Sequence, residues 1–353
     1  MPVGERLKMA RQGAGLSQRE LAQKVGVSAM AISKYETGQD MPGSKVLLAL
    51  CEALHLKVDY FFRSISINLS KPHYRRRSTL PKKQETRIHE QTRDWLERYL
   101  ELEEIVNDIQ KFVWPMEEKC RVSSLDQVEE VSQYIRDEWN LGTDPIENLT
   151  ETFEQHGIKV GTIEGAEKFD ALTFTFNDRT PVIAVKMNIP GDRQRFNLAH
   201  EFGHNVLIPA EDIDIEKAAH RFAGSFLVPK PMIIADFSHR RDTLDLYELH
   251  LLKHKYGISM QALIFRAKDL GIISDARATS LFKLFKQKGW HLREPGDSLP
   301  AEIPNRMKRL IFRALSENKI SNSRAAELLG TDFYQFCVSE AEVHEGFPIS
   351  ICD

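Results

Sequence analysis

The sequence predicts an α+β protein that is mostly helical and divided into more than one domain. The chain has 353 residues, which is long for a single core of ordinary size. Apolar residues recur at intervals of three and four over much of it, as they do along amphipathic helices. The β-prone runs are short and fall between residues 158 and 185. These observations favour two or three domains, one of which contains a small sheet.

The composition is typical of a soluble globular protein, with 42% hydrophobic and 28% charged residues. No apolar run approaches the roughly 20 residues that cross a bilayer, and the N-terminus lacks the apolar core of a signal peptide. We therefore expect a cytoplasmic protein with no membrane partner. Four scattered cysteines suggest neither a disulfide framework nor a thiolate metal site, and they fit a reducing compartment. They are Cys51, Cys120, Cys337 and Cys352.

The first domain, residues 1–66, is predicted to be all-α, with three short helices in succession. Ser17 and Glu20 form a capping box at the start of the second helix, and Gly26 ends it. Ser28 caps the third helix, which extends to Glu36. Its expected inward residues are Ala31, Ile32 and Tyr35, and its outward residues are Ala29, Met30, Ser33 and Lys34.

The motifs at residues 16–22, 27–28 and 32–38 resemble the Xre/Cro-type repressor domain over about residues 4–62. The resemblance implies a helix-turn-helix domain that binds a double-stranded DNA operator through a recognition helix at 28–36. The same core would also suit a helical protein-interaction module. The candidate DNA contacts are Gln18, Ser28, Ala29, Met30, Ser33 and Lys34.

Residues 67–118 are predicted to form a basic connector and an amphipathic helix. The segment 71–83 has six positive side chains, two prolines and no acid, so it is either a contact to the DNA backbone or a solvated linker. A helix is expected from 84 to about 112. Its apolar face would serve packing or formation of a homodimer.

The central region, residues 119–275, combines helices with β-prone runs at 158–160, 171–176 and 181–185. The last two runs are joined by a polar turn. A helix then opens at Gly191 and continues through Leu207. It is apolar on too many sides to lie on a surface, so we expect it to be buried.

Two histidines four residues apart, His200 and His204, would face one point on that helix. Their ring nitrogens could both lie about 2.0–2.1 Å from one zinc ion. Glu201 lies about 100° further round the helix. It is poorly placed as a ligand but able to hold a water at the metal, accept its proton and pass it to a leaving amine.

The third ligand predicted from helix geometry is Glu216, at the start of a helix with a buried, alanine-rich face. Three other acids, Glu211, Asp212 and Asp214, fall in a predicted loop. His220, one turn after Glu216, is either a structural or surface histidine or a group that supports a ligand.

The motifs at 193–204, 216–223, 227–229 and 257–263 resemble the ImmA/IrrE family of zinc metallopeptidases, over roughly residues 124–275. The resemblance implies a zincin-like domain in which His200, His204 and Glu216 bind Zn²⁺ and Glu201 is the catalytic base. Members of that family cleave repressor proteins, often of the Xre type. The chain departs from the family pattern at His220, where asparagine is frequent, and at Ala218, where a second acid is common.

Residues 276–353 are predicted to form a helical C-terminal region, with helices at 276–290 and 304–329. The segment 320–330 repeats the serine cap, paired alanines and final glycine of a helix-turn-helix start. It could make a second DNA contact. A helical cap on the peptidase-like region is favoured, because no clear recognition helix follows Gly330.

Three alternative functions are consistent with this combination of domains. The first is a DNA-binding regulator with a zinc-dependent endopeptidase that cleaves a repressor, or itself, in stress response or in mobile-element or toxin–antitoxin regulation. The second is a non-enzymatic Xre-type transcription factor or antitoxin whose metal site is structural or sensory. The third is a degenerate peptidase fold used as a binding platform. The open, three-ligand site favours the enzyme, because structural zinc sites are usually closed by four side chains.

Overall fold

The computed structural model describes residues 2–63, 67–70, 80–163 and 169–337. Its helices are α1 Pro2–Gly13, α2 Gln18–Val25, α3 Ala29–Glu36, α4 Ser44–Leu54, α5 Lys82–Val106, α6 Glu117–Cys120, α7 Gln127–Glu138, α8 Leu149–Gln155, α9 Gly191–Val206, α10 Ile215–Leu227, α11 Lys230–Phe237, α12 Leu246–Tyr256, α13 Met260–Asp269, α14 Asp275–Gln287, α15 Arg306–Ser316 and α16 Asn322–Leu329. A short 3-10 helix covers Val58–Phe62. The strands are β1 Arg121–Val122, β2 Lys159–Ile163, β3 Ala171–Phe176, β4 Thr180–Lys186 and β5 Ile208–Pro209.

The chain divides into two compact units. The first contains Met1–Ile67, His89–Gln110 and Pro304–Asp353, and the second contains Asn68–Ile88 and Lys111–Ile303. Helix α5 contributes residues to both units. The mostly helical α+β class predicted from the sequence is confirmed.

In the N-terminal part of the first unit, α2 and α3 begin where the sequence predicts, and α4 and the 3-10 helix are added to the three helices expected. Ser17 and Glu20 form the capping box, since each side chain accepts the other residue's backbone N–H. Gly26 ends α2 in the left-handed conformation, at φ 74°. The Ser28 hydroxyl accepts the Ala31 N–H and starts α3. The buried faces of these helices meet in a core that includes Leu7, Leu21, Ile32, Leu50 and Phe61.

The C-terminal helices α15 and α16 belong to the first unit. Leu310 and Ile311 of α15 share a buried cluster with Tyr99 and Leu102 of α5. The expectation that the segment 320–330 caps the peptidase-like region is therefore wrong, because α16 packs in the first unit. Helix α14 packs in the core of the second unit. An amphipathic pattern shows which face of a helix is buried but not which core receives it.

The connector and the helix after it differ in part from the prediction. Residues 71–79, most of the basic segment, lie outside the described residues. Helix α5 begins at Lys82 and ends at Val106, short of the expected end near 112. Asn107 follows with φ 58°, a left-handed conformation that asparagine tolerates and that stops a helix.

The second unit contains a three-stranded sheet in the order β2-β4-β3. Strand β4 pairs in parallel with β2 and antiparallel with β3. The predicted polar turn closes the β3–β4 hairpin, with Asn177 and Asp178 both at positive φ. Helices α9 and α10 pack on each other in the core of this unit through the rings of Phe202, Phe222 and Phe226.

None of the helices in the described part of the chain combines the length and the apolar character needed to cross a membrane.

Candidate metal centre and nucleic-acid interface

Helix α9 carries the two histidines and is buried along most of its length. Leu198, Ala199 and Phe202 are fully buried and fix the helix between the sheet and α10. Gly203 lies against Phe222 of α10, where a Cβ atom would stand 3.0 Å from Cδ1 of that ring. Because glycine has no side chain, the two backbones approach closely at this point. The expectation of a buried helix is met.

His200, His204 and Glu216 come together as a compact group of three. The Nε2 atoms of the two histidines are 3.0 Å apart, and each lies 3.5 Å from one oxygen of Glu216. Ligands about 2.0–2.1 Å from a tetrahedral zinc ion stand about 3.4 Å from one another. The three side chains therefore fit one tetrahedral metal ion with a position left for a further ligand.

Glu216 reaches the group because of the way α10 begins. The Asp214 carboxylate accepts the backbone N–H groups of Glu216 and Lys217, so Asp214 is the helix cap. Glu211 and Asp212 are exposed. The structure thus brings Glu216 to the histidines and leaves the other three acids out of the cluster, as helix geometry predicts. A hydrogen bond from His200 and the charge of the histidines lower the pKa of Glu216 to about 2, although burial opposes them.

Glu201 is the neighbour of His200 in the sequence, and its pKa is shifted in the opposite direction to that of Glu216. Burial raises its pKa to about 8, and the negative charge of Glu216 acts in the same direction. A hydrogen bond from the Thr173 backbone N–H partly offsets both effects. A carboxylate with a pKa in this range can accept a proton and return it near neutral pH.

His220 touches two of the metal-binding candidates. Its Nδ1 lies 2.7 Å from the backbone oxygen of Glu216, and its ring packs edge-on against the ring of His200, with 4.4 Å between centroids. Burial and the charge of His200 lower the pKa of His220. This position suits the supporting role that the sequence left open for His220. The Nδ1 of His200 has no hydrogen-bond partner among the described residues.

A cleft of about 1230 Å³ adjoins the cluster within the second unit. Glu216 and His220 lie on its wall together with the apolar side chains of Phe196, Phe265 and Trp290. Space of this size beside a metal site is sufficient for several side chains of a polypeptide.

The predicted DNA contacts lie on α2 and α3 of the first unit. Ser28 and Lys34 are exposed, as is Met30, of which 70% is accessible. Ser33 is half-buried. Ala29 differs from the expectation, because it packs partly against the core instead of facing fully outward. The surface formed by α3 therefore presents Met30 and Lys34 most prominently.

Gln18 is held by a network that the sequence did not indicate. Its amide nitrogen donates to Glu36 over 2.8 Å, and Arg11 donates to both oxygens of the same carboxylate. Only 8% of Glu36 is exposed. This buried carboxylate joins α1, α2 and α3, so one donor of Gln18 is already used within the protein.

Two further residues next to the candidate metal centre, Thr173 and Asn205, were not predicted from the sequence. The Asn205 side-chain amide donates to the Thr173 hydroxyl over 2.6 Å and to the Glu201 carbonyl oxygen over 2.9 Å. These bonds tie the helix to β3 next to Glu201. Only the position of Asn205 one turn after Glu201 was visible in the sequence, and nothing there pointed to Thr173.

Two family models match the chain. The helix-turn-helix model matches residues 7–61, and the model of the peptidase M78 family, described as the IrrE N-terminal-like domain, matches residues 153–268. The second match includes α9, α10 and the sheet, and hence the complete candidate metal centre.

Curated relatives resemble a segment of about sixty residues. An uncharacterized transcriptional regulator in the ATPase CF(0) region of Rhodospirillum rubrum is 36% identical over 18% of this chain and 58% of its own length. The HTH-type transcriptional regulator ImmR of Bacillus subtilis (strain 168) is 38% identical over 17% of this chain and 47% of its own. Repressor protein C2 of Salmonella phage P22 is 38% identical over 17% of this chain and 28% of its own. The chain thus spans less than two thirds of each of these relatives.

Among solved structures, that of Bacillus thuringiensis PlcR in complex with the peptide PapR7 and DNA aligns over 97% of this chain and 98% of that chain. The identity is 10% and the TM-score is 0.17, which is too low for an argument about the fold. The family models carry the assignment instead: the chain joins a helix-turn-helix domain to an IrrE N-terminal-like domain.

Proposed function

We propose that this protein is a DNA-binding transcriptional regulator with a zinc-dependent endopeptidase centre that cleaves a repressor protein or the chain itself. The observation that carries the proposal is the open group of His200, His204 and Glu216 with Glu201 beside it. A helix-turn-helix domain in the same chain makes control of gene expression the process that cleavage would serve.

The donor set is suited to zinc. Two imidazole nitrogens and one carboxylate oxygen are ligands that catalytic zinc sites use, and such sites keep a fourth position open. When bound, Zn²⁺ would act as a Lewis acid at that position. His200 and His204 would hold it from α9 and Glu216 from α10, so the packing of these two helices sets the geometry of the site.

Glu201 performs the proton transfers in this proposal. Its carboxylate accepts a proton from the attacking water and delivers it to the nitrogen of the leaving amine. Thr173 and Asn205 orient the helix and the carboxylate for this task. The adjoining cleft, with Phe196, Phe265 and Trp290 on its wall, would receive apolar side chains of the substrate.

The test of the enzyme begins with metal content and a conservative variant. We expect the purified chain to bind one zinc ion and Glu201→Gln to retain it while losing at least about 100-fold in cleavage rate. The substrates to be tried are Xre-type repressors and the chain itself. Glu211→Gln, at an exposed acid outside the cluster, is the matched control and should cleave at the wild-type rate.

Two results would refute the enzyme. One is equal cleavage by wild type and by zinc-loaded Glu201→Gln, and the other is wild-type protein that holds no metal at saturating zinc. Zinc binding without cleavage of any repressor would favour a structural or sensory metal site in a non-enzymatic regulator.

The DNA-binding half is tested separately by operator selection. Replacing Ser33 and Lys34 together by alanine should weaken binding to the selected operator about 10-fold or more, because α3 exposes Lys34 and holds the half-buried Ser33 beside it. Lys8→Ala, at an exposed lysine of α1, is the charge-matched control for Lys34. Unchanged operator affinity in the double variant would argue against α3 as the recognition helix.

A further inference from the structure

The cleft beside the candidate metal centre carries charged side chains of both signs, and most of its acids are engaged within the protein. Asp192 and Glu294 both pair with the buried Lys253, over 2.8 and 3.0 Å. Asp269 pairs with Arg221 over 3.4 Å. Each of these carboxylates already has a cation beside it, so they contribute little negative potential to the cleft.

Two cations of the same wall are available to a ligand. Lys217, in the first turn of α10, and Arg293, in the segment after α14, are both exposed. Neither side chain makes a hydrogen bond or an ion pair with the described part of the chain. Asp297 is an exposed acid of the wall and opposes them, whereas the exposed Asp214 is engaged as the cap of α10. The side-chain charges left for a ligand are therefore more positive than negative.

A bound metal ion would add to this positive charge. A divalent ion held by two neutral imidazoles and one carboxylate leaves a net positive charge at the site. Lys217 follows Glu216 directly in the sequence, so its side chain starts from the same turn of α10 as that candidate ligand. Positive groups along one wall of a cleft reinforce each other and raise the local concentration of anionic ligands. The cleft is therefore suited to a ligand that carries negative charge.

The same wall also presents large apolar side chains. Phe265 of α13 is 51% exposed and Leu292 is 84% exposed, and exposed apolar surface inside a cleft is typical of a ligand site. The ring of Phe265 packs against Phe282, with 4.3 Å between centroids, so its position is fixed. Phe196 lies next to His220, with 5.9 Å between ring centroids, so apolar surface also reaches the metal centre.

We propose that the peptidase centre selects polypeptide segments in which a large apolar residue is accompanied by aspartate or glutamate, a proposal that rests on the proposed function. Phe196 and Phe265 receive the apolar side chain, and Lys217 and Arg293 pair with the carboxylates of the segment. Segments rich in lysine or arginine are rejected, because their charges would meet positive groups that nothing compensates. These four residues determine specificity and take no part in holding the metal.

The experiment offers two peptide libraries to zinc-loaded full-length protein. Both contain one fixed phenylalanine or leucine, and they differ only in the flanking charges, which are acidic in one library and basic in the other. We expect kcat/KM for the acidic library to be at least about 10-fold higher. The ratio should fall as salt is raised from about 0.05 to about 0.5 M, because salt screens exposed charges. Fluorescence anisotropy with zinc-loaded Glu201→Gln measures the same preference in binding, without cleavage.

Charge reversal assigns the preference to the named side chains. Lys217→Glu combined with Arg293→Glu should invert the ratio of the two rates, because the exposed charges of the wall change sign. A general loss of activity or of zinc, which is measured in parallel, lowers both rates and leaves their ratio unchanged. Lys230→Glu combined with Arg240→Glu is the matched control in the same unit. Both side chains are exposed and lie outside the cleft wall, so the wild-type ratio should persist.

Failure of the specificity and failure of the enzyme give different results. Equal cleavage of the two libraries, or a preference that survives the double charge reversal, would overturn this inference and leave the proposed peptidase standing. Tighter binding of the acidic library to Glu201→Gln without cleavage by zinc-loaded wild type would refute the peptidase and leave the cleft as a binding site for acidic, apolar segments. Neither binding nor cleavage of any peptide would overturn both proposals.

Discussion

At the scale of single residues, the candidate metal centre contains two carboxylates whose pKa values are shifted in opposite directions. The histidines lower the pKa of Glu216, whereas burial raises that of Glu201 to about 8. A charged carboxylate is what a cation requires, and one that titrates near neutrality is what proton transfer requires. The sequence predicted the role of Glu201 from its spacing, because a helix places residues i and i+4 on one face and i+1 aside. It predicted Glu216 from its place at the start of the next helix.

Glu216→Gln tests the role of the ligand. We expect zinc affinity to fall at least about 100-fold, because the amide carries no charge and is a weaker ligand. The measurement is competition against a chelator of known affinity, with Glu211→Gln as a control of equal charge change outside the cluster. If both variants bound zinc as tightly as wild type, Glu216 would not be a ligand.

At the scale of elements, the metal centre depends on how closely α9 and α10 pack. Gly203 faces the ring of Phe222, and a Cβ atom at this glycine would lie 3.0 Å from Cδ1 and 3.3 Å from two further atoms of that side chain. His204 lies on α9 and Glu216 on α10. Any separation between them therefore changes the distance from His204 to Glu216, now 3.5 Å.

Gly203→Ala is expected to destabilise the second unit by about 1–2 kcal/mol and to weaken zinc binding, because overpacking forces the helices apart. Denaturant unfolding and chelator competition measure the two effects. Gly224→Ala on α10 is the matched control. There a Cβ would lie 3.5 Å from Arg266, an ordinary contact, so this change should be neutral or stabilising by up to about 1 kcal/mol.

At the scale of the whole molecule, residues distant in sequence are combined in each unit. The first unit assembles the N-terminal helices with the later part of α5 and with α15 and α16. Arg6, only 1% exposed, is paired with Glu97 at 2.5 Å. Arg98 donates to the Leu328 carbonyl over 2.7 Å. The first unit therefore includes two helices, α15 and α16, that follow the candidate metal centre in the sequence.

Ile311→Ala should consequently impair the first unit although it lies some 275 residues from α3 in the sequence. Ile311 is fully buried, and its truncation is expected to cost about 2–4 kcal/mol. Hydrogen exchange resolved by segment should show faster exchange in α5 and α15, with zinc affinity unchanged. Phe312→Ala is the neighbouring control, because that side chain is 46% exposed. Equal exchange in the two variants would contradict the assigned core.

Much of the local structure could be predicted from the sequence. Capping residues such as Ser17 and Ser28 act on the next three residues, and the polar turn at 177–180 acts on the strands beside it. The three candidate metal-binding residues could be identified because two lie on one helix and the third lies at the start of the next. Caps, turns and helix spacing depend on interactions between residues close together in the chain, so a short stretch of sequence is enough to predict them.

The features that could not be predicted depend on contacts between distant segments. The pattern of α15 showed an apolar face but not that Tyr99 and Leu102 would cover it. No spacing linked Thr173 to Glu201, or Ser70 to Thr175, because 28 and 105 residues separate these pairs. Hydrophobic burial and hydrogen bonding across such separations are specified by the complementarity of whole surfaces. Short-range spacing was therefore enough to identify the candidate ligands of the metal centre, whereas the folded chain established which edge of the sheet lies beside them.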